Sequence, residues 1–115
     1  MTLRYISTRG GVPAVGFEEV LFAGLAADGG LYVPETWPKF DRDHLATLQS
    51  APYQDVAAYV LQPFVGEDLE PAELERLIEA AYSTFSHQAI APVKQLAAGE
   101  WVMELFHGPT LAFKD

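Results

Sequence analysis

Between Pro71 and Phe85, Leu74, Leu77, Ile78, Ala81, Tyr82 and Phe85 recur at the spacing of one helix face, while Glu73, Glu75, Arg76 and Glu79 fall mostly off it. An apolar stripe of that length is stable only against another apolar surface, so the chain must fold around this helix. Pro71 suits its first turn, and Asp68 or Glu70 lies at its start. Pro52 opens a second helical stretch, with Val56, Tyr59, Val60 and Phe64 expected inward and Pro63 expected to bend or end it. Phe17, Val20, Leu21, Gly24 and Leu25 predict a third helix, running to the glycines of Asp28-Gly29-Gly30. A fourth, short one carries Leu45 and Leu48, with Asp41 or Asp43 as its cap.

The remaining segments read as short strands. Arg4–Thr8 is extended and ends at the turn signal Arg9-Gly10-Gly11. Leu31-Tyr32-Val33 is a second strand, ended by Pro34. Pro92–Leu96 and Trp101–Phe106 form a candidate hairpin across Ala98-Gly99-Glu100. With 115 residues, half of them hydrophobic, the chain suits one small folded domain. The expected class is α/β with α+β character: short strands and several helices.

Composition excludes several functions. The net charge is −9, from 7 Lys and Arg against 16 Asp and Glu, which argues against nucleic-acid binding. There is no cysteine, so disulfides, thiol catalysis and Cys-type zinc sites are excluded. His44 and His87 have no partners at metal spacing, and no metal site is expected. Asp68, Glu70, Glu73, Glu75 and Glu79 read as the N-terminal end and wet face of one helix. The start, Met1–Tyr5, is unlike a signal peptide, and no apolar run approaches the roughly 20 residues that span a bilayer. These readings point to a soluble, cytoplasmic protein with no membrane partner.

The last residues carry the most specific signal. A hydrophobic strand leads through Gly108-Pro109 into Leu111-Ala112-Phe113, which reads as the first turn of a helix. Those apolar side chains are expected to pack on residues beyond Asp115, or to leave a disordered tail from about Gly108. The run Leu105-Phe106-His107-Gly108-Pro109-Thr110-Leu111-Ala112-Phe113-Lys114-Asp115 closely resembles the cofactor-lysine motif of the threonine synthases. Tyr5-Ile6-Ser7-Thr8-Arg9-Gly10 and Gly24–Pro34, with its Asp-Gly-Gly-Leu-Tyr-Val-Pro, resemble the opening of the same family. The resemblance covers the whole chain.

It implies an N-terminal domain over residues 1–105 and, from 106 to 115, the entry to a pyridoxal 5′-phosphate (PLP) fold like that of tryptophan synthase β, whose remainder is missing here. The reaction implied is conversion of O-phospho-L-homoserine and water to L-threonine and phosphate. Lys114 would be both the cofactor-binding and the catalytic residue, because a neutral lysine amine condenses with the cofactor aldehyde and then moves protons. The implied partners are that substrate and the protein's own C-terminal catalytic domain. Thr110 is expected to cap the following helix, and Phe113 to pack near the cofactor ring. For His107 a structural role in the turn is favoured over acid–base work. Arg9 reads either as a contact to a substrate phosphate or carboxylate, or as a surface or ion-paired arginine. Neither Gly10-Gly11 nor Gly29-Gly30 has the strand–loop–helix context of a phosphate cradle, so the 115 residues alone are expected to be inactive. The alternatives are a non-catalytic α/β folding or interdomain-contact module, or another PLP lyase of the same group.

Overall fold

A computed structural model describes residues 3–115. The element order is β1 (Tyr5–Ser7), α1 (Phe17–Ala23), β2 (Tyr32–Pro34), α2 (Arg42–Thr47), α3 (Tyr53–Val65), α4 (Pro71–Tyr82), β3 (Val93–Ala97) and β4 (Glu100–Met103). The mixture of short strands and helices matches the class expected.

The N-terminal ribbon pairs β1 with β2 antiparallel, placing Tyr5 opposite Pro34, Ile6 opposite Val33 and Ser7 opposite Tyr32. Pro34 does not end this strand, as the sequence suggested, but belongs to it. Tyr5 directs its N–H and C=O to Val15 instead, at 2.9 and 3.0 Å, so the position opposite needs no N–H and proline is tolerated there.

The ribbon is locked by Asp28. Its carboxylate accepts from the Ser7 hydroxyl (2.8 Å) and from the backbone N–H groups of Gly30 (2.9 Å) and Gly11 (2.8 Å). Ser7 is buried, and its oxygen also accepts from the Arg9 N–H, so no polar group is left unpaired. A Cβ at Gly30 would overlap the Ser7 hydroxyl, and one at Gly11 would come within 2.9 Å of the Asp28 carboxylate. The two glycines are therefore required for close approach.

Two helices depart from the sequence expectation. α1 stops at Ala23, because Gly24 turns left-handed with φ of 68°, and Leu21 and Leu25 are left mostly exposed. Residues 26–30 form the turn that aims Asp28 at β1, which a longer helix would prevent. α3 runs through Pro63 to Val65. The proline sits in the last turn, which Gly66 closes by donating to the Gln62 carbonyl at 3.0 Å. Its buried residues are Ala57 and Val65, while Val56, Tyr59, Val60 and Phe64 are half-buried. The buried face is thus rotated from the one expected. The small Ala57 lets α4 approach closely, and Leu74 and Ile78 of α4 complete the core.

Long-range bonds join the ribbon to the helices. The Tyr5 hydroxyl donates to the Phe64 carbonyl at 2.7 Å, and Asp68 accepts from the Glu18 N–H at the start of α1 at 3.0 Å. Asp68 thus caps a helix 50 positions away rather than the one beside it. Of the two candidate caps of α2, Asp41 takes the role, accepting from the His44 N–H at 2.8 Å, while Asp43 lies in the first turn. The hairpin β3–β4 forms as read from sequence but is exposed along both strands.

Two stability predictions follow from these features. Leu74→Ala empties a core position that is 5% exposed and should cost about 2–4 kcal/mol by chemical denaturation; a loss under about 1 kcal/mol would mean the core does not depend on it. Asp28 is held below the ordinary carboxylate range, by the Gly30 N–H first, then the Ser7 hydroxyl, the Gly11 N–H and the charge of Arg9. A depressed folded pKa stabilises above the unfolded value, and that stability is lost as pH falls through the folded one. The thermal midpoint should therefore drop below about pH 4. Asp28→Asn should lower the midpoint at neutral pH and flatten that acid slope. Equal slopes in the two proteins would refute the assignment.

Candidate functional site

The site is built on the stretch between β4 and Asp115. Glu104 donates its N–H to the Pro92 carbonyl at 2.9 Å, prolonging the hairpin beyond Met103. His107 is then fixed twice. Its Nε2 donates to the Glu104 carboxylate at 2.8 Å, and its carbonyl accepts from the Ser86 N–H (2.9 Å) and the Ser86 hydroxyl (3.1 Å). The rings of His87 and His107 lie 5.0 Å apart. His107 accordingly holds the turn, the structural role favoured from sequence.

Residues 108–115 fold back on themselves. The Thr110 N–H donates to the Asp115 carboxylate at 2.9 Å, the Thr110 hydroxyl bonds the same carboxylate, and the Asp115 N–H donates to the Ala112 carbonyl at 3.2 Å. The Thr110 hydroxyl is the main cause holding the Asp115 carboxyl below its usual range, with backbone N–H groups of the turn adding to it. Gly108 is buried, and a Cβ there would overlap the Asp115 side chain. The expected helical first turn is absent. Leu111 takes φ of 61°, which no α-helix admits, so Thr110 caps a closed turn rather than a helix.

Lys114 sits on this turn and is exposed. Its neighbours Phe113 and Asp115 line a small cavity of about 110 Å³ with Tyr53, Tyr82, Phe85, Ile90 and Leu105. The Tyr53 and Tyr82 rings meet edge-on at 5.0 Å, and the Tyr53 hydroxyl is pushed up by burial and then by Tyr82. Ile90 is 6% exposed although its φ is 59°, a strained value for a β-branched residue. Sequence reasoning missed Ser86, Glu104, Tyr53 and Ile90 here. The stripe ending at Phe85 signalled that the helix points at this place, but nothing marked its hydroxyl and carboxylate partners.

Other candidates lie elsewhere. Arg9 donates from Nη1 to the Asp28 carbonyl at 3.1 Å and serves the N-terminal ribbon. His44 bonds Asp41 through Nδ1 at 2.6 Å, whereas His87 stays beside His107, its Nδ1 accepting from the Ala89 N–H at 3.0 Å. A larger groove of about 700 Å³ runs between α3 and α4, but Asp55, Glu75 and Glu79 line it and would repel an anionic substrate. Among the described residues no group of three His, Asp or Glu side chains is placed to hold a metal ion, and no helix is long and apolar enough to cross a membrane.

The comparisons with known proteins bear on the whole arrangement. The family model described as threonine synthase N terminus matches residues 4–82. The chain belongs to the threonine synthase family. It is 53% identical over 113 residues to a threonine synthase of Pseudomonas aeruginosa, covering 98% of this chain and 24% of that protein. It is 45% identical over 114 residues to threonine synthase-like 2 of Xenopus laevis, covering 98% of this chain and 24% of the relative. Among solved structures, PLP-bound threonine synthase from Brucella melitensis superposes with a TM-score of 0.94 at 49% identity, over 98% of this chain and 24% of that one. The chain thus spans about a quarter of the length of the threonine synthases it matches. The fold described above is the family's N-terminal domain.

If the Thr110–Asp115 bonds close the lysine turn, Thr110→Val should raise amide exchange across residues 108–115 about tenfold or more and leave α3 and α4 unchanged. Unchanged exchange in the turn would show that it is held by other contacts.

Proposed function

We propose that this chain is the N-terminal portion of a PLP-dependent threonine synthase that converts O-phospho-L-homoserine and water to L-threonine and phosphate, a carbon–oxygen lyase acting on phosphates. In this reading residues 1–105 form the N-terminal domain, residues 106–115 enter the catalytic domain, and Lys114 carries the cofactor. The observation that carries it is the likeness across 98% of the chain to a PLP-bound threonine synthase, taken with the resemblance of Leu105–Asp115 to the family's cofactor-lysine motif. A cysteine-free chain also suits the cytoplasm, where we place the protein.

The residues present fit one half of a PLP site. Attachment needs a reachable primary amine on a fixed backbone, and Lys114 is exposed on a turn closed by Thr110 and Asp115. The other half is a cradle for the cofactor phosphate, which helix N-termini commonly supply. Here those ends are taken or hostile: Asp68 caps α1, Asp41 caps α2, Asp55 stands in the first turn of α3, and Glu70 stands at the start of α4. On this reading the cradle lies elsewhere in the longer protein, together with the C-terminal catalytic domain.

PLP, when bound, stores the negative charge that develops on the substrate as protons leave. The contribution of this chain is to orient Lys114, whose Nζ is the group that would hold the cofactor and then carry protons at the substrate carbons. The missing cradle also supports a second reading, a non-catalytic folding or interdomain-contact module.

The test uses the full-length protein with O-phospho-L-homoserine. Lys114→Ala should abolish phosphate release and the visible absorbance of lysine-bound PLP. The 115-residue chain alone should gain no stoichiometric, dialysis-resistant band with PLP. Full turnover by the Lys114→Ala protein would leave the non-catalytic module as the better reading.

A further inference from the structure

The stretch from β4 to Lys114 is anchored to the helical part of the molecule by one polar cluster. Ser86 follows α4 and gives both its N–H and its hydroxyl to the His107 carbonyl, at 2.9 and 3.1 Å. Glu104 takes the His107 imidazole at 2.8 Å and is itself tied through its N–H to Pro92 at 2.9 Å. The two side chains are 16% and 24% exposed, far more enclosed than the Arg76–Glu73 pair at 63% and 44%. A charge-assisted bond that is shielded this way is stronger and more directional than a surface pair.

From His107 the constraint continues without a gap. Gly108 packs against Asp115 so closely that a Cβ would overlap it, and Asp115 holds Thr110. Lys114 lies between Thr110 and Asp115, inside the turn that their bonds close. Fixing His107 therefore fixes the base of the turn from which the amine of Lys114 extends.

We propose that Glu104 and Ser86 are positioning residues for Lys114, acting through His107, so that the N-terminal domain sets the geometry of the cofactor lysine instead of merely preceding it. This rests on the assignment of Lys114 made above. A misplacement of about 1 Å at a reacting group can cost about a hundredfold in rate, so loss of the clamp should reach turnover more than substrate binding.

Two measurements test it. In the 115-residue chain, Glu104→Ala should speed amide exchange across residues 105–115 about tenfold while α3, α4 and the thermal midpoint stay close to the parent values. In the full-length protein with PLP, the same substitution should lower kcat for phosphate release about 10- to 100-fold with KM changed less than about threefold. Glu104→Gln keeps an oxygen to accept from His107 and should recover kcat to within about threefold of the parent. Ser86→Ala should lower kcat in the same sense. An unchanged kcat in Glu104→Ala, or a loss matched by an equal loss of folded protein, overturns the clamp while leaving the role of Lys114 standing. Unchanged turnover in Lys114→Ala instead overturns the functional reading, and the clamp with it.

Discussion

The Asp28 carboxylate is the constraint on which the N-terminal half depends. It gathers the hydroxyl of Ser7 from β1 and the N–H groups of Gly11 and Gly30 from the loops at either side. A ribbon of two three-residue strands has too little ladder to stand alone. An ionised acceptor with several donors supplies what the ladder lacks, because charge-assisted bonds are roughly twice as strong as neutral ones. The glycines are dictated by the same geometry, since a side chain at Gly30 would occupy the space of the Ser7 hydroxyl. Once β1 is fixed, Tyr5 can reach the Phe64 carbonyl and join the ribbon to α3.

The helical half is held differently. Ala57, Val65, Leu74 and Ile78 make a small apolar core between α3 and α4, edged by Phe17, Tyr53, Leu69 and Tyr82. That core leaves a great deal uncovered. Trp101, Met103, Leu105, Phe106, Leu111 and Phe113 are each more than two-fifths exposed, all in or beyond the hairpin. Relatives of the chain are about four times as long, and on the function proposed above their further structure packs against the side that bears the lysine turn. The apolar exposure of the hairpin is what such a contact surface would need.

Much of this was legible in the sequence because local rules governed it. Pro71 and the stripe behind it defined α4, Asp41 marked the start of α2, and Gly99 with its flanking apolar runs gave the hairpin. The errors came where a distant partner overrode the local pattern. Leu25 continues the period of α1, yet the chain leaves the helix at Gly24 so that Asp28 can meet Ser7. Asp68 reads as part of an acidic helix end but caps α1 instead. Thr110 has the character of a helix cap, and its partner is Asp115, five residues on. At the candidate site the motif nominates Lys114, the cofactor role being the one proposed for it. The partners of His107 were not legible, because Ser86 and Glu104 belong to no motif and become neighbours only when α4 and the hairpin converge on His107.

In the function proposed here, Lys114 carries the cofactor on a turn that the N-terminal domain holds in place. The most direct measurement is borohydride reduction of the full-length protein after loading with PLP, followed by peptide mass mapping. A single stoichiometric pyridoxyl adduct is expected on the peptide that contains Phe113-Lys114-Asp115, located at Lys114. An adduct on a different lysine, or none in a protein that retains PLP, would contradict it.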